Sequence, residues 1–186
     1  MEEKDLAIVT GAASGIGRAT AEVFARKGCD VAIMDIDNAV EEVAAAARAA
    51  GVSCHHARGD VAEEKDVEAF VSEVLERFGR IDVLVNNAGV VLVRPVEEIA
   101  VEDFRRVVDV NLGGTFLFCK HVIPVMKRRG SGSIVNMGSV SGHVGQVDHS
   151  VYGATKGAII AFTRALAWEV APYGIRANSL SPGSVD

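Results

Sequence analysis

Short apolar runs alternate with longer helical stretches along the chain, and this alternation limits the fold more than any other feature. Leu6-Ala7-Ile8-Val9, Val31-Ala32-Ile33-Met34 and residues 53–57, 81–85, 133–137 and 175–180 read as strands. Residues 16–27, 38–50, 63–78, 102–110, 114–129 and 150–171 read as helices. In the first helix, Ile16, Ala19, Val23 and Phe24 are expected to form the apolar face. Gly51, Gly79 and the Pro172/Gly174 pair supply stop signals. Strands that are apolar throughout, joined by helices, belong to a parallel sheet covered on both faces. With right-handed crossovers, the expected architecture is α/β: a doubly wound, Rossmann-like parallel sheet of about six strands with helices on both faces.

Residues 1–186 show no linker, internal repeat or low-complexity tract, so one domain is expected. With 49% hydrophobic and 24% charged residues the composition is that of a globular chain. The formal net charge is −6 and there is no basic run, which argues against nucleic acid or an anionic membrane as partner. Cys29, Cys54 and Cys119 have neither metal nor redox-motif spacing and read as reduced, buried thiols. No zinc-type grouping of histidines with cysteines or acids is apparent, so no metal is expected. The start, Met1-Glu2-Glu3-Lys4-Asp5, lacks the basic and apolar regions of a signal peptide, and no apolar run is long enough to span a bilayer. A cytoplasmic location is the expectation.

The glycines are clustered. Thr10-Gly11-Ala12-Ala13-Ser14-Gly15-Ile16-Gly17 falls between the first strand and the first helix. A dinucleotide pyrophosphate is bound at that place in such sheets, against the free N–H groups and positive dipole end of the helix. Gly11 permits the tight turn, Gly15 lets backbone approach phosphate, and Gly17 allows close helix–strand packing. Ser14 and Ile16 belong to the same loop. Taken alone, the pattern is also that of a tight βα connection; its position favours binding. Asp35 ends the second strand, where a carboxylate can accept from both adenosine ribose hydroxyls and repels a 2′-phosphate. Neither Ser14 nor Ile36 offers a cation for that phosphate, so NAD is favoured over NADP.

Tyr152 and Lys156 lie four residues apart on an expected helix and share one face. An ammonium beside a phenol favours the phenolate and lowers its pKa from about 10, giving a general acid/base that works near neutral pH. Ser139 follows the fifth strand, at the edge of the sheet where open α/β folds bind ligands.

Thr10-Gly11-x-x-x-Gly15-Ile16-Gly17, Asn86-Asn87-Ala88-Gly89, Asn111, Ser139, Tyr152-x-x-x-Lys156 and Pro182-Gly183 occur in an order that resembles the short-chain dehydrogenase/reductase family over nearly the whole chain. The resemblance implies hydride transfer between a nicotinamide and a secondary alcohol or carbonyl. It implies that Tyr152 moves the substrate hydroxyl proton and that Lys156 tunes Tyr152 and binds the nicotinamide ribose. Ser139 would orient the substrate oxygen, and Asn111 would help hold a water in a proton relay. Asp60 and Val61 resemble the adenine-contacting pair. Asn87 and Ala88 should border the cofactor, Asn86 is the candidate to tie strands together instead, and Pro182, Gly183 and Val185 should line the nicotinamide end.

The family usually continues past the position of Asp186, with helices that cover the substrate and a seventh strand. On that expectation the 186-residue chain turns over poorly, and residues 175–180 form a sheet edge. Residues 142–150 should border the substrate, with Gln146, His143 and His149 as polar contacts and Val91-Leu92-Val93 as an apolar wall. These features suit a small or medium secondary alcohol, a polyol or an acyl chain. The resemblance also implies a homodimer or homotetramer built through helices 114–129 and 150–171, which carry Phe116, Phe118, Phe162 and Trp168. A 3-oxoacyl-carrier-protein reductase and a non-catalytic dinucleotide-binding or scaffold protein are the alternative functions.

Overall fold

The computed structural model describes residues 4–184. Among them, six strands form one parallel sheet: β1 (Leu6–Thr10), β2 (Asp30–Asp35), β3 (Cys54–Arg58), β4 (Val83–Asn86), β5 (Gly132–Met137) and β6 (Ile175–Leu180). Their lateral order is β3-β2-β1-β4-β5-β6, with every pairing parallel. The helices are α1 (Gly15–Arg26), α2 (Val40–Ala49), α3 (Glu64–Phe78), α4 (Val101–Val108), α5 (Gly114–Arg129) and α6 (Ser150–Val170). The doubly wound α/β reading therefore holds.

Strand periodicity divides the core in two. Leu6 and Ile8 of β1, Ala32 and Met34 of β2, Leu84 of β4 and Ile134 of β5 face α3, α5 and the end of α6. Val9, Val31, Ile33 and Val85 point the other way, onto α1 and α2. Burial on both faces is why these strands read as continuous apolar runs rather than alternating ones.

Two local expectations are corrected. The contact face of α1 is Gly17, Ala21 and Ala25, whereas Val23 is 45% exposed. Small side chains let α1 lie close to the sheet; of the expected face, Phe24 packs against this half of the core, whereas Ala19 and Val23 are exposed. The helical path also runs on between α4 and α5, through a π-helical turn at Asp109–Gly113. Such turns insert one residue into a helix and re-aim its neighbours. Here the turn places Asn111 in the interior. No helix of the described residues is long and apolar enough to cross a membrane.

Candidate active site

The strand order reverses between β1 and β4, and the loops leaving their carboxyl ends diverge there. Open α/β sheets bind ligands at this switch point. The loop after β1 is held from three directions. Gly11 N–H donates to the Met34 carbonyl at 2.8 Å, and Ala13 N–H donates to Asp35 Oδ2 at 2.9 Å. Asn87 Nδ2 donates to the carbonyls of Thr10 and Gly11, both at 3.0 Å, while the Thr10 hydroxyl accepts from Asn87 and Ala88 N–H.

Glycine is required at two places in this loop. A Cβ on Gly17 would lie 2.0 Å from the Gly11 carbonyl oxygen, and one on Gly11, which has φ +64°, would lie 2.7 Å from Ala88 Cα. Gly15 also has positive φ, +52°, but opens onto free space. Ser14 caps α1 by position only, without a side-chain hydrogen bond, so the first turn keeps free N–H groups for an anion.

A cavity of about 360 Å³ lies over this loop. Its walls include Gly11, Ser14, Gly15, Ile16, Asp35, Asp60, Val61, Asn87 and Ala88, and these are nine of the cofactor residues expected from sequence. Gly17 lies beneath the loop instead, as close packing requires. The Asp35 carboxylate accepts from Ala13 and Asp37 N–H, so it braces the loop as well as facing the cavity.

A second cavity, of about 170 Å³, shares Ile16, Asn87 and Gly89 with the first. Ser139, Tyr152, Lys156, Pro182 and Gly183 line it, so three of the four expected catalytic residues meet there. Ser139 follows β5, and its Oγ accepts from Ser141 N–H at 3.2 Å. Tyr152 and Lys156 project from one face of α6, with Lys156 Nζ 5.7 Å from the centroid of the Tyr152 ring. Lys156 is only 5% exposed and donates to the Met137 carbonyl at 2.7 Å. Burial lowers its pKa to about 8. Its other two hydrogens have no protein acceptor among the described residues, so a buried ammonium faces the cavity with donors to spare.

Asn111 lines neither cavity. Its side chain accepts from Val90 N–H at 2.8 Å and donates to the Val90 carbonyl and the Thr155 hydroxyl, while its carbonyl accepts from Thr115. Asn86 does tie strands together, donating to Asn136 Oδ1 at 2.9 Å across β4 and β5. Val185 lies outside the described residues. Gln146 accepts from the Ser141 hydroxyl, and His143 meets Ser181 at 3.0 Å. The thiols of Cys54 and Cys119 are pushed up by burial to about 11 and about 12, so neither is a ready nucleophile. Sequence reading gave no role to Gly59, Val90, Arg106 and Val110 on the larger cavity or to Met137 and Gly138 on the smaller, and none of these carries a local motif. Gly89 lines both cavities and belongs to the Asn86–Gly89 run, which did mark its place.

A glycine cradle at a helix N-terminus and an acid at the end of β2, at the switch point of a doubly wound sheet, define a class: Rossmann-type dinucleotide-binding proteins. The model of the short chain dehydrogenase family matches residues 5–186. The chain belongs to that family and is an oxidoreductase that uses a nicotinamide cofactor. An uncharacterized oxidoreductase of Bacillus subtilis is 45% identical over 186 residues, covering 99% of this chain and 68% of its own length. Cis-4-hydroxycyclohexanecarboxylate dehydrogenase of Sinomonas cyclohexanicum is 42% identical, covering 97% and 73% respectively. The solved structure of an NAD+-bound xylitol dehydrogenase superposes with a TM-score of 0.94 at 39% identity, covering 98% of this chain and 72% of that one.

Proposed function

We propose that this chain forms one catalytic domain that interconverts a secondary alcohol and a ketone with NAD, using Tyr152 as general acid/base. The buried, donor-rich Lys156 ammonium beside Tyr152 carries this reading, because it lines a cavity that shares Ile16, Asn87 and Gly89 with the glycine-loop cavity. The nicotinamide, when bound, supplies or accepts the hydride. Tyr152 Oη takes the hydroxyl proton in oxidation and returns it in reduction. Ser139 donates to the substrate oxygen and orients it. Lys156 holds positive charge against the place where the phenolic proton leaves, and its spare hydrogens suit ribose hydroxyls.

Asp35 is the basis for NAD over NADP: a carboxylate accepts from ribose hydroxyls and repels a 2′-phosphate. Ala13 N–H and Asp37 N–H fix its orientation, which leaves acceptor capacity on both oxygens. A ring alcohol or a polyol is the favoured substrate class. The names of the hydroxycyclohexanecarboxylate and xylitol dehydrogenases support it, as does the polar surround of Ser141, His143, Gln146 and His149.

Tyr152→Phe tests the assignment. It should lower kcat by about 10²- to 10⁴-fold and leave NADH affinity unchanged. Undiminished turnover would remove Tyr152 from the chemistry. Failure of the wild type to turn over any alcohol while binding NADH would favour a non-catalytic binding protein.

A further inference from the structure

We propose that Arg106 is an adenosine-binding residue, whose guanidinium both fixes the Asp60 carboxylate and forms a flat cationic wall for the adenine ring. The inference rests on the dinucleotide reading above and extends it to a residue outside the sequence motifs.

The end of the larger cavity beyond the glycine loop is bounded by Asp35, Ile36, Asp60, Val61, Arg106 and Val110. Two carboxylates in a site for a ligand bearing a pyrophosphate are electrostatically adverse unless one is compensated. Among the residues lining the cavity, Arg106 is the only cation. Its Nη1 donates to Asp60 Oδ2 at 2.7 Å, while Asp60 Oδ1 accepts from Ala62 N–H at 3.0 Å. Main chain on one oxygen and guanidinium on the other set the direction of the carboxylate. Each oxygen keeps a lone pair for a donor such as an adenine amino group.

The fold aims Arg106 here by two devices. It sits in the last turn of α4, where a cation is favoured by the helix dipole. Val110, four residues on and inside the π-helical turn, lines the same cavity, so the two form one continuous surface. Val61 and Val110 are buried and provide an apolar floor. The Arg106 side chain is 44% exposed, leaving part of its surface for a ligand to cover. A guanidinium plane stacks on an aromatic face, and a lysine ammonium supplies the charge without the plane.

ADP-ribose, which carries the adenosine and pyrophosphate but no nicotinamide, is the probe. Isothermal titration of the wild type, R106K, R106A and R106E should give affinities that fall in that order. R106A should bind about fivefold more weakly, with the melting temperature of the unliganded protein unmoved. R106K keeps the charge but loses the plane, so it should bind more weakly than wild type and more tightly than R106A, which separates stacking from charge. Equal ADP-ribose affinity in wild type and R106A would overturn the proposal and leave the dinucleotide reading intact. A wild type that binds neither ADP-ribose nor NADH would end both.

Discussion

Lys156 places an ammonium in the interior beside the Tyr152 ring, and burial draws its pKa from the ordinary 10.5 down to about 8. The folded protein therefore holds this proton less tightly than the unfolded chain does. Between pH 8 and 10.5 the unfolded state binds more protons, so stability from this group rises with pH; below about 8 the full penalty is present. The stability of the wild type relative to Lys156→Met should climb across that window, by up to about 3 kcal/mol. Urea titrations at a series of pH values measure it, and a flat difference would contradict the buried-ammonium account. The Tyr152-x-x-x-Lys156 spacing made this pair legible in sequence, because one helix positions both residues. The Asp60–Arg106 pair was not legible, since it joins residues 46 positions apart that only the sheet and the helices around it bring together. Asn111 shows a third case: the motif picked it out, but the π-helical turn that buries it has no sequence signature.

The β1–loop–α1 unit positions the larger cavity, and its geometry depends on the absence of side chains. Gly17→Ala would force a methyl to within 2.0 Å of the Gly11 carbonyl oxygen and 2.5 Å of Asn87 Nδ2, both of which brace the loop. The variant should lose about 2 kcal/mol of stability and most of its NADH affinity, read together by thermal melts with and without cofactor. A melt unchanged in both conditions would mean that the loop is looser than its contacts indicate. Strands were recoverable from sequence to within about two residues because their apolar runs are bounded by turn residues. The inner face of α1 was legible only in part. Gly17, Ala21 and Ala25 are its buried residues and Phe24 packs beside them, whereas a reading based on hydrophobicity also favours the exposed Val23. The helix expected from residue 114 does begin at Gly114, whose close approach to Val61 a side chain would prevent.

Across the molecule, α5 and α6 leave apolar surface uncovered. Phe118 is fully buried, but Phe116 is 49% and Trp168 is 85% exposed. We expect self-association through this surface, and Trp168→Asp combined with Phe116→Asp should lower the mass measured by light scattering to that of one chain. An unchanged oligomer would place the interface elsewhere. The fold class was legible because alternating strands and helices with right-handed crossovers leave few topologies. That the two cavities adjoin, with Ile16, Asn87 and Gly89 on the walls of both, could be seen only in three dimensions. That junction underlies the central claim, that one site holds NAD against Tyr152. Titration of the wild type with NADH and with NADPH, followed by fluorescence and thermal shift together, tests it most directly. NADH should bind and raise the melting temperature, with NADPH at least about tenfold weaker because of Asp35. Binding of neither, or tighter binding of NADPH, would contradict the account.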